Sequence, residues 1–308
     1  MKKRIAIVGG SCVDIFATSV LPLIAHDSNP GTVNIGFGGV GRNIAENLAR
    51  LGQDAVLLAP FGDDPFSEQM LSHTAAAGVN TEHALISSGD NAPYYISVND
   101  SSGDMAVAVN DIKICDRITP GFLSAKLSML NDCDAVILDT NIPTESIAFL
   151  ASHCKPPLFA EAVSTRKAVK LASALPHLHA IKLNLQEAEA LLGIAVAAEP
   201  VSLQEAANRF HGYGIPYVLI TMGIKGAYLS CEQERLMMSA FPVKTVNANG
   251  CGDAFGAAAF LGILLCRQPA DILRTALAAA AVTAESAQAV SPELTADALH
   301  IYLYEKRK

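Results

Sequence analysis

The feature that most constrains this sequence is a series of short apolar runs, each of strand length and each followed by turn residues. Helix-like patterns lie between most of these runs, so strands and helices alternate along the chain. Such alternation is typical of a doubly wound, mainly parallel sheet flanked by helices, and we predict an α/β fold of this class. The predicted core strands are residues 5–8, 55–59, 135–138, 158–162, 180–183 and 217–221.

Two segments, residues 20–35 and 92–111, interrupt this alternation. In the second, two strand-like runs flank the turn-forming residues 99–103, which predicts a β-hairpin. Strands inserted between βα units do not join a parallel sheet easily, so we predict that they form a small separate β-sheet that covers a site as a lid. The chain is then one domain, residues 1–308, with a lid formed by insertions at about 14–37 and 92–111.

The composition narrows the classes of partner. Charged residues make up 17% of the chain, below the roughly 25% of a typical globular protein, so extensive surface should be hidden. The exposed edges and apolar faces of the lid strands predict a homodimer that forms through the lid. The net charge is −8 and the basic residues are scattered, so the sequence predicts no nucleic-acid partner.

The sequence also gives expectations about compartment. The seven cysteines form no C-x-x-C pair and lie near no histidine pair at zinc spacing, so we expect independent, reduced thiols. The apolar run at residues 5–8 is too short for a signal peptide, which predicts a cytoplasmic protein. The longest apolar stretch, residues 254–266, has 13 residues. A membrane span needs about 20, so we predict a buried helix and no membrane partner.

The most informative local motif is the glycine-containing loop Asn-Ala-Asn-Gly-Cys-Gly-Asp at residues 247–253, which runs into the apolar helix. Backbone N–H groups and the helix dipole at such a helix start favour a phosphate, or the charge that develops on a phosphoryl group during transfer. Asp253 lies in the first turn of that helix. Taken alone, it is equally well explained as an ordinary N-terminal carboxylate that stabilises a helix.

A second glycine motif, Gly36-Phe-Gly38-Gly-Val-Gly41, matches the dinucleotide-binding pattern G-x-G-x-x-G. A nicotinamide-dependent oxidoreductase is therefore one alternative. The next predicted strand ends at Pro60 without an acidic residue to bind a ribose, which argues against it. Gly38 and Gly39 with Asn43 instead suit a loop that approaches a sugar closely and binds its hydroxyls.

Polar residues follow several of the predicted strands, at the edge where parallel sheets bind ligands. Asp14 follows the first strand, and its carboxylate can accept hydrogen bonds from two sugar hydroxyls. Asp139 ends another strand and is either a substrate contact or a turn cap. Asn184 and Glu187 open a helix, as a simple cap or as a site near magnesium-bound water.

Taken together, these motifs resemble those of the ribokinase-like family of carbohydrate and nucleoside kinases, over essentially the whole chain and in the same order. Gly38-Gly39 with Asn43 is similar to the N-terminal signature of that family, residues 184–187 to its N-x-x-E motif, and residues 247–253 to its D-T-T-G-A-G-D loop. Residues 221–226, Thr-Met-Gly-Ile-Lys-Gly, are similar to its nucleotide turn.

The resemblance implies a role for each matching residue. Asp253 would be the catalytic base, with the amides of Gly250, Cys251 and Gly252 as the anion hole. The substrate contacts would be Asp14, Gly38, Gly39 and Asn43; the nucleotide contacts would be Asn184, Thr221, Gly223, Gly226 and Asn249; and Glu187 would serve the metal. ATP and Mg²⁺ are the implied cofactors, and a monovalent cation such as K⁺ stays open. An aspartate of ordinary pKa, about 3.9, is ionised at neutral pH, so the role of base requires no large pKa shift.

The chain departs from the family pattern at several positions, and these bear on the substrate. Asn247, Asn249 and Cys251 stand where the loop has Asp, Thr and Ala, and Val40 stands where ribokinases have a sugar-contacting lysine. Residues 39–52, 103–111 and 163–168 are most similar to the pseudouridine kinases of the family. This implies phosphorylation of the 5′-hydroxyl of pseudouridine, with polar partners for the uracil ring from Asn110, Asp111 and Lys167. The alternatives are a kinase of another nucleoside or sugar, and a binding protein that regulates without catalysis.

Overall fold

The computed structural model describes residues 2–232 and 234–305. The strands are β1 (Arg4–Val8), β2 (Cys12–Ser19), β3 (Gly31–Gly38), β4 (Asp54–Leu58), β5 (Pro60–Phe61), β6 (Leu85–Ile86), β7 (Tyr94–Asn99), β8 (Met105–Asp111), β9 (Ala135–Asp139), β10 (Leu158–Glu161), β11 (Ala180–Asn184), β12 (Tyr217–Thr221), β13 (Ala227–Ser230) and β14 (Arg235–Met238). The α-helices are α1 (Val40–Arg50), α2 (Pro65–Ala76), α3 (Pro120–Asn131), α4 (Thr144–His153), α5 (Thr165–Ala168), α6 (Leu185–Leu192), α7 (Pro200–Gly212), α8 (Cys251–Leu264), α9 (Pro269–Ala284) and α10 (Ala296–Glu305).

The main sheet has eight strands in the order β14-β13-β12-β11-β10-β9-β1-β4. The strands from β12 to β4 run parallel, whereas β13 and β14 run antiparallel at one edge. The doubly wound, mainly parallel sheet is confirmed, and all six predicted core strands are present. The edge strand β14 was not predicted. Its mixture of exposed and half-buried side chains gives no apolar run for a sequence pattern to detect.

Alternation along β1 divides the interior into two apolar cores, one on each face of the sheet. Ile5 and Ile7 face the core that contains α1, α8 and α9. Ala6 and Val8 face the core that contains α3, α4 and α7. Both faces of the sheet are therefore covered by helices, and the ligand-accessible parts of the sheet are the ends of its strands.

A second, four-stranded sheet has the order β3-β2-β7-β8 and forms the lid. β2 and β3 pair antiparallel from Cys12 opposite Gly38 to Ser19 opposite Gly31. β7 and β8 form the predicted hairpin and join the sheet through parallel pairing of β7 with β2. Gly36 and Gly38 thus lie in a lid strand instead of the βαβ unit of a dinucleotide fold, so the oxidoreductase alternative is wrong.

The two faces of the lid differ in chemistry. Residues directly opposite one another on paired strands point to the same face, so Asp14, Tyr95 and Asn110 share one face, here called the inner face. The next row has Ile15, Ile35, Ile96 and Val109 and lies on the outer face. The outer face has exposed apolar side chains, namely Val33, Ile35, Ile96, Val107 and Val109.

The apolar stretch near residue 254 forms the predicted buried helix α8, in which every residue from Asp253 to Ile263 is buried. α8 packs against α1 on one side and α9 on the other. Within residues 2–232 and 234–305, the helices lack the combination of length and apolarity that crossing a bilayer requires.

Candidate active site

The candidate site lies where the carboxyl ends of the parallel strands meet the first turns of α1 and α8, beneath the lid. Asn43 in α1 and Asp253 in α8 are both buried, and the Asn43 Nδ2 group donates a hydrogen bond to Asp253 Oδ2 over 2.8 Å. These residues are 210 positions apart in the sequence. The structure therefore brings together the two motifs on which the prediction of a sugar site and a base depends.

The start of α1 is shaped by the paired glycines Gly38 and Gly39. Gly39 is the N-cap of α1 and has a φ of 92°, in the left-handed region that favours glycine. A Cβ atom at Gly39 would also lie 2.5 Å from the Ser11 backbone. A Cβ atom at Gly38 would collide with the carboxylate of Asp14. These contacts allow the end of β1, the lid strand β2 and the start of α1 to converge.

The start of α8 is free of any side-chain cap. Its N-cap residue, Gly250, adopts a left-handed conformation with a φ of 78°, and no side chain accepts from the first N–H groups of the helix. The backbone carbonyl of Ala289 leaves no space for a Cβ atom at Gly250. Because the first N–H groups of a helix have no intrahelical partner, the amides of Gly252 and Asp253 are available to an anion, whereas the Cys251 N–H donates to the Ala248 carbonyl over 3.4 Å.

Asn247 shapes the loop that leads into α8. Its Oδ1 atom accepts from the backbone N–H of Asn249 over 2.9 Å, and its Nδ2 group donates to the Ala287 carbonyl over 3.1 Å. An aspartate would keep the first bond but could not donate the second. The asparagine that departs from the family pattern is thus used by this loop as both acceptor and donor.

The pKa of Asp253 is raised above the ordinary value of an aspartate. Burial raises this pKa to about 6, while the Asn43 hydrogen bond and the Lys182 ammonium lower it and the carboxylates of Asp139 and Asp14 raise it. The sequence pattern did not indicate this shift, because it does not show that this first-turn residue is buried near other acids. At neutral pH most of the Asp253 carboxylate is still ionised.

Asp14 lies on the inner face of the lid, and its environment is also shifted. Burial raises the pKa of Asp14 to about 6, opposed by a hydrogen bond from Cys12 and by the positive charge of Arg42. The thiol of Cys251 is neutral, because burial and the nearby Asp253 raise its pKa to about 11. Cys251 therefore offers no thiolate to the site.

A buried ion pair that sequence reasoning missed lies below the start of α8. Lys182 Nζ donates to Glu161 Oε1 over 2.8 Å, with side-chain exposures of 7% and 2%. Burial acts to lower the pKa of Lys182, but Glu161, Glu187 and Asp253 outweigh it, and the pKa is raised. A Cβ atom at Gly252 would lie 3.1 Å from Lys182 Nζ, so the ammonium is next to the anion-binding turn. The sequence did contain a sign of this pair: the apolar runs of β10 and β11 each include one charged residue, Glu161 and Lys182, and these pair directly.

Asn184 and Glu187 form a reciprocal capping box at the start of α6. The Glu187 backbone N–H donates to Asn184 Oδ1 over 2.9 Å, and the Asn184 N–H donates to Glu187 Oε2 over 2.8 Å. Glu187 is buried, and its charge contributes to the field around Lys182. The structure thus agrees with the capping interpretation. The capping box does not use Glu187 Oε1, and a carboxylate oxygen of this kind is a ligand that suits Mg²⁺.

Asp139 binds backbone groups in the interior of the protein instead of facing the candidate site. It is fully buried, and its two oxygens accept from the backbone N–H groups of Gly10 and Asn141 over 2.8 and 2.7 Å. Burial raises its pKa. These bonds tie the loop after β1 to the loop after β9, which favours the turn-capping interpretation. We therefore remove Asp139 from the candidate substrate contacts.

Lys167 binds Asn141, which lies in the loop after β9. Its ammonium donates to Asn141 Oδ1. Burial lowers the pKa of Lys167, opposed by the charges of Asp139 and Cys115. Val163, just before α5, has a φ of 64°, and the Ser164 N–H donates to the Ala162 carbonyl over 2.7 Å across it. This strained turn directs the chain from β10 into the segment that contains Lys167.

The two predicted lid contacts lie on opposite faces. Asn110 pairs with Tyr95 and so shares the inner face with Asp14. Asp111 pairs with Tyr94 and points to the other side of the sheet. We therefore keep Asn110 as a candidate substrate contact and remove Asp111, since a period-2 strand cannot present both side chains to one ligand.

Three of the predicted nucleotide contacts, Thr221, Gly223 and Gly226, lie in a tight turn after β12. Thr221 ends that strand and donates to the Leu183 carbonyl over 3.3 Å. The turn closes with the Met222 N–H donating to the Gly226 carbonyl over 2.8 Å, and both Gly223 and Gly226 have positive φ. Asn249 is exposed beside the start of α8. The turn follows β12, a direct neighbour of the strand that Asn184 ends.

Comparisons with known proteins agree with this geometry. The model of the family described as pfkB family carbohydrate kinase matches residues 2–296. A pseudouridine kinase from Escherichia coli (strain K12) is 36% identical over 256 residues, 82% of this chain and 81% of that protein. An uncharacterized sugar kinase of the same organism, YeiI, is 31% identical over 293 residues, 94% of this chain and 81% of that protein. The structure of Arabidopsis thaliana ribokinase complexed with ribose and ATP has a TM-score of 0.85 at 19% identity, covering 98% of this chain and 99% of that chain.

Proposed function

The chain belongs to the pfkB family of carbohydrate kinases and is a phosphotransferase with an alcohol group as acceptor, and we propose that it transfers the γ-phosphoryl group of ATP to the 5′-hydroxyl of pseudouridine. The observation that carries the proposal is the buried Asp253 carboxylate, held by Asn43 in the first turn of an uncapped helix. A base and an anion site then lie within one turn of helix, as transfer of a phosphoryl group to a hydroxyl requires.

Asp253 is the proposed base. Asn43 occupies Oδ2, and in the described part of the chain no donor contacts Oδ1, which is left to accept the proton of the substrate hydroxyl. As the bond from the 5′-oxygen to the γ-phosphorus forms, the bond from that phosphorus to the departing ADP oxygen breaks and the hydroxyl proton moves to Asp253. A carboxylate with a pKa of about 6 is ionised at neutral pH and accepts this proton more readily than an unshifted one.

Negative charge that develops on the phosphoryl oxygens is stabilised by groups already in place. The amides of Gly250, Cys251 and Gly252 lie at the positive end of the α8 dipole, and Gly250 holds the turn open in its left-handed conformation. The Lys182 ammonium lies next to Gly252 and adds a buried positive charge. Because these groups are fixed by the fold, they need no rearrangement as charge develops.

We propose that the turn at Thr221, Gly223 and Gly226, together with Asn184 and Asn249, holds the nucleotide. Mg²⁺ usually binds through one or two carboxylates together with substrate phosphates, and Glu187 supplies such a carboxylate within the same group of strand ends. When bound, Mg²⁺ would neutralise phosphate charge and polarise the γ-phosphoryl group. The assay below includes K⁺, because a monovalent-cation requirement is open.

The proposed acceptor contacts combine the core and the lid. Asn43 uses one N–H and one lone pair on protein groups and retains one N–H and one lone pair for a sugar hydroxyl. Asp14 offers a carboxylate from the inner face of the lid. The uracil ring of pseudouridine would lie against the same face, with Asn110 and Lys167 as its proposed polar partners. The 36% identity to a pseudouridine kinase supports this acceptor over free ribose.

We further propose that two copies associate through the outer face of the lid and that the kinase works in the cytoplasm. Val33, Ile35, Ile96, Val107 and Val109 are each 41% to 66% exposed and lie side by side on paired strands. Clustered exposed apolar side chains of this kind mark association surfaces. All seven cysteines are free thiols, as expected in a reducing compartment.

The kinase proposal is tested by measuring ADP release with Mg·ATP, with and without K⁺, against pseudouridine, uridine, adenosine, ribose and fructose. We expect turnover of pseudouridine and its loss in Asp253→Asn. Asp271→Asn is the matched control, because Asp271 occupies the same third position of α9 but is exposed to solvent. Turnover of another acceptor would replace the proposed substrate. ATP binding without turnover of any acceptor would favour the non-catalytic regulator instead.

The dimer is tested by light scattering coupled to size exclusion. We expect a dimer that Val107→Lys converts to a monomer, since a charge on the outer face opposes burial of its neighbours. Val201→Lys is the control, because Val201 is 81% exposed on α7, away from the lid. A monomeric wild-type chain would contradict the proposal.

A further inference from the structure

Arg42, which lies between the two glycines and the asparagine of the N-terminal motif, is among the most completely buried residues of the chain. It is 1% exposed although its guanidinium carries a positive charge. A buried charge is costly unless hydrogen bonds satisfy it fully. None of the sequence motifs gives Arg42 a role, and the proposed kinase chemistry does not use it.

All five N–H groups of the Arg42 guanidinium have acceptors. Nε donates to Thr74 Oγ1 over 3.2 Å, and Nη1 donates to the Phe37 carbonyl over 2.7 Å and to Asn43 Oδ1 over 3.1 Å. Nη2 contacts the Glu46 carboxylate and the His73 Nδ1 atom, the latter over 3.1 Å. These acceptors come from the last part of β3, from α1 and from α2, so the planar fork of the guanidinium is fixed in orientation.

The bond to Asn43 decides which way the Asn43 amide points. Arginine is a donor only, so the atom of Asn43 that faces it must be the oxygen. The NH₂ group then faces Asp253, to which it donates over 2.8 Å. In the reversed orientation, Asn43 would present NH₂ to guanidinium N–H groups and oxygen to a carboxylate, and both contacts would be repulsive.

We propose that Arg42 is a positioning residue for the reaction: it locks the amide of Asn43 so that Asn43 holds Oδ2 of Asp253 and leaves Oδ1 aimed at the acceptor hydroxyl. This inference rests on the role of Asp253 in the proposed function. Arg42 touches neither substrate nor phosphate in this scheme. It acts on the base through one intervening side chain.

The orientation of the Asn43 amide affects the pKa of Asp253, because the groups around this carboxyl oppose one another. Burial and the carboxylates of Asp139 and Asp14 favour the protonated acid, whereas the Asn43 hydrogen bond and the Lys182 ammonium favour the ionised form. Cys251 and Glu161 are the other titratable groups that face it, from its own helix and from β10. If the Asn43 amide can rotate, Asp253 loses the hydrogen bond that supports its ionised form, while the opposing terms are unchanged.

The test uses Arg42→Lys, which keeps a positive charge beside Glu46 but cannot reach five acceptors from a single nitrogen. The first readout is the pKa of the Asp253 carboxyl, measured by an NMR titration of protein labelled with ¹³C at the aspartate Cγ. The Asp253 resonance is assigned by its absence in Asp253→Asn. We expect a pKa above the wild-type value. This readout needs no substrate, so it is informative even if the kinase proposal fails. The second readout is turnover, for which we expect kcat to fall roughly 10- to 100-fold with little change in KM.

Thr74→Val is the matched control, since it removes one partner of the guanidinium on the side remote from Asn43. We expect it to leave both the Asp253 pKa and kcat at wild-type values. Should Arg42→Lys fail to fold, the double variant Arg42→Gln with Glu46→Gln removes both buried charges together and should give the same pKa rise. An unmoved Asp253 pKa in a folded Arg42 variant, or an equal shift in Thr74→Val, would overturn the proposal.

Discussion

Replacing Lys182 with methionine should destabilise the protein far more than breaking an ion pair usually does. Lys182 and Glu161 are joined over 2.8 Å with side-chain exposures of only 7% and 2%. The second oxygen of Glu161, Oε2, is buried and has no hydrogen-bond partner among the described residues. Lys182→Met therefore leaves a buried carboxylate whose only described partner has gone.

The magnitude follows from burial. Removing one partner of a buried pair costs about 3–5 kcal/mol, because the remaining charge is uncompensated. Lys3 and Asp134 form a matched surface pair over 2.9 Å, with side-chain exposures of 29% and 36%. Lys3→Met should cost only about 0–1 kcal/mol. Lys182→Met combined with Glu161→Leu should recover most of the loss, since an apolar replacement of a buried pair is often neutral or stabilising.

The assay is urea unfolding followed by circular dichroism at one fixed protein concentration, with linear extrapolation of the free energy. The pH dependence has a definite sign. Burial raises the folded-state pKa of Glu161, and without Lys182 the folded state of the variant binds a proton that the unfolded state releases. The stability deficit therefore grows as pH rises from about 4.3, the ordinary pKa of a glutamate, and levels off above the raised pKa. A deficit no larger than that of Lys3→Met, or one independent of pH, would refute the reasoning.

Two further predictions concern catalysis. Asp253 must be ionised to accept a proton and its pKa is raised to about 6, so kcat/KM should fall below about pH 6. A pH profile that is flat from pH 5 to 7 would contradict its role as base. Lys182→Met should move the fall in kcat/KM to higher pH, because the Lys182 ammonium lowers the pKa of Asp253. Gly250→Ala should cost about 1–2 kcal/mol from its left-handed φ plus a collision with the Ala289 carbonyl, and should lower kcat in the ADP-release assay. Gly193→Ala shares the left-handed conformation with no atom in the way, so unfolding measurements should show the backbone cost there while kcat stays at the wild-type value.

Sequence patterns were sufficient for the main sheet, because each parallel strand buried on both faces reads as a continuous apolar run. The hairpin of β7 and β8 was equally accessible, since its two alternating runs flank a turn that contains glycine. The position of Asp14 was predicted only approximately: it was expected at the carboxyl edge after β1, where the lid begins, and it lies inside the lid strand β2. A strand with half-buried residues on both faces gives little periodic signal.

The sequence predicted a residue of the candidate site only where that residue belongs to a recognisable local motif. Asp253, Asn43 and the glycines belong to such motifs. For Asp139 and Asp111 the sequence could not choose between roles, because burial and the face of a strand depend on packing partners distant in sequence. The same limit applies to Lys182 and Glu161, which lie on separate strands and meet only in the assembled sheet.

The way in which the lid is attached has a consequence for how specificity can change. Both lid segments leave and re-enter the core at directly paired residues, Cys12 opposite Gly38 and Tyr94 opposite Asp111. Each is thus a loop whose ends are fixed to one another, so its distal part can be lengthened, shortened or exchanged without moving α1 or α8. In the proposed scheme, the acceptor contacts from the lid can therefore change while the first turn of α8, with the groups for phosphoryl transfer, is kept.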